Sequence, residues 1–189
     1  MVPTLAATLG VKGHRPVVGT RDDKDLLHVF GAVNCVDGRL HTRTLATRAK
    51  VLRAERLKGP AGRKRVSKTR RMTAAFAAHL RDLGRAYPPN LHPRVVLIVD
   101  NAPWHRGQPV KDALADNPHL ELYRLPSYSP ELNVIERVWK WLRRRATHNR
   151  LFDTLADLKA AVRDALRHLQ GVPKRVLSLL GDCYQEATA

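Results

Sequence analysis

The chain of 189 residues carries 34 Lys or Arg against 17 Asp or Glu, a formal net charge of +17 with His neutral. An ordinary surface interleaves both signs in rough balance, so an excess of this size points to a polyanionic partner, with nucleic acid ahead of an anionic membrane. A membrane partner would need a basic amphipathic anchor or a long apolar span, and Val95 to Val99 is only five residues long. Met1 to Gly10 has neither the basic start nor the apolar core of a signal peptide, which predicts a cytoplasmic protein. The two cysteines, Cys35 and Cys183, exclude a disulfide framework and a Cys-rich zinc site. Aromatic residues at 5% argue against a single-strand binder that works by stacking, while 43% apolar residues suffice for a real core.

In chain order, Leu26 to Leu45 reads as two apolar-rich strands meeting at Asp37-Gly38, a pairing that tight hairpin turns favour. Arg48 to Arg71 holds eleven Lys or Arg against the single acid Glu55 and is interrupted by Gly59-Pro60 and Gly62, which predicts a solvated linker. From Met72, the residues Met72, Phe76, Leu80 and Leu83 recur at helical spacing until Pro88-Pro89. Val95 to Val99 is β-branched and apolar at every position, as a central strand covered on both faces would be. Gly107 to Asp116 reads as a helix with Val110 and Leu114 inward, and Leu120 to Leu125 as another strand. Ser129-Pro130 offers an N-cap and first-turn proline for a helix running to about Arg145, with Leu132, Ile135, Val138, Trp139 and Leu142 inward. Asp153 or Thr154 caps a final helix with Leu155, Leu158, Val162, Leu166 and Leu169 on one face. The order is strand, strand, helix, strand, helix, strand, helix, helix, an α/β fold without internal repeats.

Two acids in this frame can carry chemistry. Asp100 stands where the apolar strand stops, at the carboxyl end where open α/β sheets gather ligands, although an Asp there can equally cap the turn that follows. On the helix from Ser129, Asn133, Glu136, Lys140 and Arg143 or Arg144 share the stripe opposite the apolar one, so an acid lies among an amide and cations. An ordinary Glu136–Lys140 salt bridge is the plain alternative, and Glu131 is a rival acid whose place in the first turn the helix dipole explains. Asp100 and Glu136 are separated by 35 residues that hold one helix and one strand.

Those two stretches, VDNAPWH and LPSYSPELNVIERVW, resemble the catalytic core of D-D-E transposases, specifically the bacterial insertion sequence 630 family of the mariner superfamily. The resemblance extends upstream through PTLAATLGVKGHRPVV and FGAVNCVDG and so covers most of the chain; Val134 stands where the family has Pro, which predicts a small change in the helix's approach angle. It implies a ribonuclease-H-like α/β fold, a mixed sheet flanked by helices, over residues 1–170, with 171–189 a C-terminal tail. It also implies three carboxylates holding two Mg²⁺ or Mn²⁺ ions, hard cations that oxygen ligands suit. Asp100 matches the second acid and Glu136 the third. Asn101, His105 and Asn133 are implied near the metals or the scissile strand, and Arg137, Lys140, Arg143, Arg144 and Arg145 near DNA phosphates. The partner implied is double-stranded DNA, both transposon ends and target, in the bacterial nucleoid, with a homodimer as the assembly to test.

The first acid of the family belongs to the first strand of the fold, upstream of the segment matching Pro3-Thr4-Leu5, so that strand is expected to be missing from this chain. Asp22, Asp23 and Asp25 are the nearest acids, but they precede the hairpin, out of place in the topology. The leading expectation is a transposase catalytic domain that cuts and joins DNA; its alternative is a DNA-binding remnant without chemistry. A ribonuclease-H-like nuclease or resolvase would share the fold but not the SYSPELN segment.

Overall fold

The computed structural model describes residues 25–47, 67–127 and 129–181. Asp22, Asp23 and most of the basic segment predicted as a linker lie outside the described residues. Leu26–Val33 (β1) and Leu40–Thr47 (β2) pair antiparallel, with Leu27 opposite Ala46 and Val33 opposite Leu40. The hairpin is as expected, but its turn is not a two-residue Asp37-Gly38 turn. The connection runs from Asn34 to Arg39, and the Asn34 carbonyl accepts the Gly38 N–H at 2.9 Å. Asn34 Oδ1 takes the Val36 N–H at 2.8 Å, and Asp37 Oδ1 takes that of Arg39 at 2.8 Å. These local acceptors favour a longer loop, in which only Gly38 needs a positive φ, 73°.

Lys68–Ala86 (α1) starts four residues before Met72, because Ser67 caps it: the Ser67 hydroxyl accepts the Arg70 N–H at 3.1 Å. The expected face is buried, with Met72, Phe76, Leu80 and Leu83 among its residues. Val95–Val99 (β3) and Leu120–Arg124 (β4) pair in parallel, Val95 opposite Leu120 and Val99 opposite Arg124, and Gln108–Ala115 (α2) makes the crossover that parallel pairing requires. Val110 and Ala113 of α2 are buried, whereas Leu114 is only half-buried.

Among the described residues the sheet departs from two expectations. β3 is covered, among those residues, on one face: Leu97 and Val99 pack towards α1, while Val96 and Ile98 are 50% and 59% exposed beside the exposed Tyr123 of β4. Side chains alternate across a strand, so an all-apolar run shows that both faces tolerate burial, not that a layer of the described residues lies on each. In place of one mixed sheet, the described residues form two two-stranded ladders, β1–β2 and β3–β4.

Ile135–Ala146 (α3), Leu155–Gln170 (α4) and Pro173–Leu180 (α5) cover the face of β1–β2 away from α1. Leu27 and Leu40 of the hairpin meet Val138, Leu142, Val162, Leu169 and Val176 there, all buried. Thr154 rather than Asp153 caps α4, through a capping box: its hydroxyl accepts the Asp157 N–H at 3.1 Å, and the Asp157 carboxylate accepts the Thr154 N–H at 3.0 Å. Residues 173–180 of the expected tail are α5, whose Val176 and Leu180 lie in this core. No helix among the described residues is long and apolar enough to cross a membrane.

The core between α1 and the hairpin holds a costly side chain. His79 of α1 is 2% exposed, and neither ring nitrogen has a hydrogen-bond partner. Burial, against the pull of Asp82 and with help from Arg43 and His41, lowers its pKa from 6.5 to about 4. A group whose folded pKa lies below its unfolded value supports the fold fully above pH 6.5 and loses that support as pH falls towards 4, here by about 3 kcal/mol. We expect His79→Leu to be neutral or stabilising at pH 7, since it removes two unmet polar atoms, and to flatten the loss of stability in urea unfolding between pH 6.5 and 4. An acid profile unchanged by the substitution would assign the loss to other groups.

Candidate active site

β3 ends at Val99, and Asp100 follows at the carboxyl end of the strand, half-exposed with its side chain 53% accessible. Its Oδ1 accepts the Ala102 N–H at 3.0 Å, the turn-capping contact open to any Asp in this position. The chain then tightens into a 3₁₀ turn, Pro103–His105, which swings the His105 ring back. His105 Nδ1 lies 3.0 Å from Asp100 Oδ1 and 3.2 Å from the Asp100 carbonyl oxygen. Both neighbours are acceptors, so Nδ1 carries the proton, an assignment made from its partners. The ring is buried against Phe76 of α1, with centroids 4.2 Å apart, and meets Trp104 edge-on. Burial holds the His105 pKa below its ordinary value, against the opposing pull of the Asp100 backbone and carboxylate. Asp100 Oδ2 has no hydrogen-bond or ion-pair partner among the described residues.

Asn101, expected beside the metals, ties the loop down. Its amide donates to the Leu125 carbonyl just past β4, and its Oδ1 accepts from Arg106 at 3.2 Å. Sequence reasoning did not find Arg124, which donates to the His105 carbonyl at 3.0 Å from the end of β4. Its relevance follows from the register, Val99 opposite Arg124, and a parallel register cannot be read from one strand.

The segment carrying Glu136 folds differently from expectation. Pro130–Leu132 is a separate 3₁₀ turn, and α3 begins only at Ile135. Leu132, expected inward, is therefore 51% exposed. Glu131 lies in the 3₁₀ turn, and Glu136 becomes the acid in the first turn of α3, where the helix dipole favours one. Val134 sits just before the helix with φ −57°, an angle proline also adopts, so this replacement places no strain on the backbone. Glu136 does not pair with Lys140; its nearest cation is Arg143, 4.0 Å away, and its side chain is 47% exposed. The Asn133 carbonyl accepts the Glu136 N–H at 3.0 Å, and the Asn133 side chain has no partner among the described residues.

α3 is seated by Gly31 of β1, a residue sequence reasoning passed over. A Cβ at Gly31 would collide with the Trp139 indole and come within 3.2 Å of Ile135 Cδ1. The five basic residues of α3 divide by environment. Arg137 is exposed and donates to the Leu180 carbonyl at the end of α5, so it also ties two helices together. Arg143 faces Glu136, while Lys140, Arg144 and Arg145 are exposed.

Taken singly, Asp100 Oδ2, which has no partner among the described residues, and the half-exposed Glu136 carboxylate are oxygen donors of the kind a hard divalent cation prefers. Among the described residues no group of three or more His, Cys, Asp or Glu is assembled for a metal. The structure thus brings Asp100, Asn101 and His105 into one loop and places Glu136 beside Asn133 at the start of α3.

A parallel strand pair with an accessible acid at its carboxyl end, and a second acid opening a basic helix, place the described residues in the α/β class. The chain belongs to the DDE superfamily endonuclease family, which matches residues 36–159 and so takes in both Asp100 and Glu136. It is 35% identical over 107 residues to the uncharacterized protein y4pE/y4sA of Sinorhizobium fredii, covering 57% of this chain and 75% of that one. It is 30% identical over 79 residues to the insertion element IS630 uncharacterized 39 kDa protein of Shigella sonnei, covering 42% of this chain and 23% of that one. Among solved structures it resembles the Mos1 transposase in its paired-end complex with the left transposon end, with a TM-score of 0.50 and 16% identity. That match covers 97% of this chain and 52% of the Mos1 chain, so this chain spans about half its length. The likeness is one of fold, and it supports the ribonuclease-H-like class in its broad arrangement.

Three substitutions on α3 and its seat separate structural from electrostatic roles. Arg137→Ala should cost about 1–2 kcal/mol in urea unfolding through its lost bond to α5, whereas Arg144→Ala, fully outward, should change stability by less than about 0.5 kcal/mol. Gly31→Val should cost about 1–3 kcal/mol by overpacking against Trp139. Equal stability of the Arg137 and Arg144 variants would remove the structural role of Arg137.

Proposed function

We propose that this chain is the catalytic part of an insertion-sequence transposase that cleaves and joins double-stranded DNA with Mg²⁺ or Mn²⁺. The observation that carries the reading is the family match over residues 36–159, together with the two acids it encloses. Asp100, through its free Oδ2, and Glu136 are the residues that would hold the cation, with the Asn133 amide beside them. A pair of such ions supplies an activated attacking oxygen and neutralises the charge that develops on the leaving one. What the chain itself contributes is position. Asn101 and Arg124 fasten the loop after β3 to the end of β4, and the Gly31–Trp139 contact fixes the start of α3 on the hairpin. Lys140, Arg144 and Arg145 supply exposed positive charge along the same helix as Glu136, suited to a DNA backbone.

A second reading, a DNA-binding remnant without chemistry, is favoured by one specific observation: the described residues assemble two separate acids but no three-member cluster. Both readings predict binding to duplex DNA with little sequence preference and a steep salt dependence, each neutralised phosphate adding about −0.9 to the slope of log K against log salt. Replacing Lys140, Arg144 and Arg145 together with Ala should make that slope shallower by about 2 to 3. Affinity insensitive to salt would remove the electrostatic account.

The readings part on cleavage. Under the catalytic reading, a version extended upstream through the family's first Asp nicks plasmid DNA in Mg²⁺, and Asp100→Asn or Glu136→Gln in that version abolishes nicking. A version that cuts as well with both acids replaced would locate the chemistry elsewhere. An extended version that binds DNA but never cuts would favour the remnant.

A further inference from the structure

Asp100 has a requirement that its place at the end of a strand does not meet by itself. An accessible carboxylate in water turns freely about its χ torsions, and fixing it costs entropy unless the fold has already done so. Two contacts do this on the same oxygen: the Ala102 N–H and His105 Nδ1 both address Oδ1, at 3.0 Å each. The imidazole is fixed in turn. Its Nδ1 also lies 3.2 Å from the Asp100 carbonyl, its ring packs on Phe76, Trp104 closes one edge, and its own carbonyl is held by Arg124.

We infer that His105 is the positioning residue for Asp100: its Nδ1–H pins Oδ1 so that Oδ2 alone is presented to a divalent cation. The inference rests on the metal-dependent reading above and deepens it. His105 touches neither the cation nor the DNA; it acts through the carboxylate. The alternative for a buried ring at this site is packing against Phe76, and the two are separable because the hydrogen bond uses one nitrogen. An Asn side chain places its amide N–H near the position of Nδ1, whereas Gln reaches towards that of Nε2, and Leu keeps apolar bulk with no donor at all.

The test uses the full chain and Mn²⁺ alone as probe, with free Mn²⁺ read by electron paramagnetic resonance and metal-free stability read by urea unfolding. Parent and His105→Asn should bind Mn²⁺ with dissociation constants within about twofold of each other. His105→Gln and His105→Leu should bind about tenfold or more weakly, the range seen when a ligand loses its supporting hydrogen bond. Long-range proton–nitrogen spectra of the parent should show the His105 proton on Nδ1, a readout independent of metal and activity. The inference is overturned if His105→Leu binds Mn²⁺ as the parent does, if His105→Asn is as weak as His105→Leu while equally stable, or if the proton is found on Nε2. Asp100→Asn separates this from failure of the functional reading. If the parent binds no Mn²⁺, or binding survives Asp100→Asn, the metal reading fails and takes the inference with it. If Asp100→Asn abolishes binding that His105→Leu leaves intact, His105 alone is refuted.

Discussion

Packing on α1 joins the two ladders among the described residues, and one of its rings touches both sides. Phe76 of α1 sits between Phe30 of β1, with centroids 6.4 Å apart, and His105 of the loop after β3, 4.2 Å apart. No ladder joins the two sheets among the described residues, so the hairpin and the parallel pair are placed relative to each other through α1. Leu45 and Phe30 approach that helix from one sheet, Leu97 and Val99 from the other, and Val110 and Ala113 of α2 fill the gap beside them. Truncating Phe76 therefore removes more than buried area. It loosens the hairpin that seats α3, and hence Glu136, from the imidazole that addresses Asp100.

The arrangement also explains how the two acids reach their places from opposite sides of the hairpin. α1 lies on one face of β1–β2, and α3, α4 and α5 lie on the other. Alternation along β1 divides its residues between these layers: Phe30 points to α1, while Leu27, Val29 and Gly31 meet the C-terminal helices. Asp100 is thus positioned by the α1 layer and Glu136 by the α3 layer, with one strand as the common reference. A register slip of one residue in β1 would exchange the layers and place Phe30 where Gly31 admits the Trp139 indole.

Much of this was legible in the sequence, and the failures share a cause. Helical spacing gave the buried residues of α1 and α4, and the motif around VDNAPWH located Asp100 at a strand end. Residues whose role depends on a partner far along the chain were not legible. Gly31 looks like any strand glycine until Trp139 is placed over it, and Arg124 becomes relevant only through the parallel register. Arg137 looks like its basic neighbours until the end of α5 meets it. Ser129-Pro130 has the local signature of a helix start, and the chain does turn helically there, but only for a 3₁₀ turn; α3 starts five residues later, beyond Val134. Apolar identity at Val96 and Ile98 likewise could not show which face of β3 has a covering layer.

Among the described residues the acids differ in what holds them, and since Asp112, Glu131, Asp153 and Asp164 also have no arginine or lysine pair, the kind of partner tells more than the lack of a cation. Asp37, Asp82, Asp116 and Glu121 each pair with an arginine at the rim of the fold, contacts that contribute little to stability because they are solvated. Asp157 is taken by the α4 capping box. Asp100 instead faces an imidazole whose burial disfavours its charged form, and Glu136 has, among the described residues, Arg143 at 4.0 Å. Neutral donors orient a carboxylate without cancelling its charge, whereas a guanidinium in the same place would do both and would compete with any incoming cation. An acid meant to take an exchangeable cation needs the first arrangement. Asp100 has it even though arginines 106 and 124 are close enough to hold its neighbours Asn101 and His105.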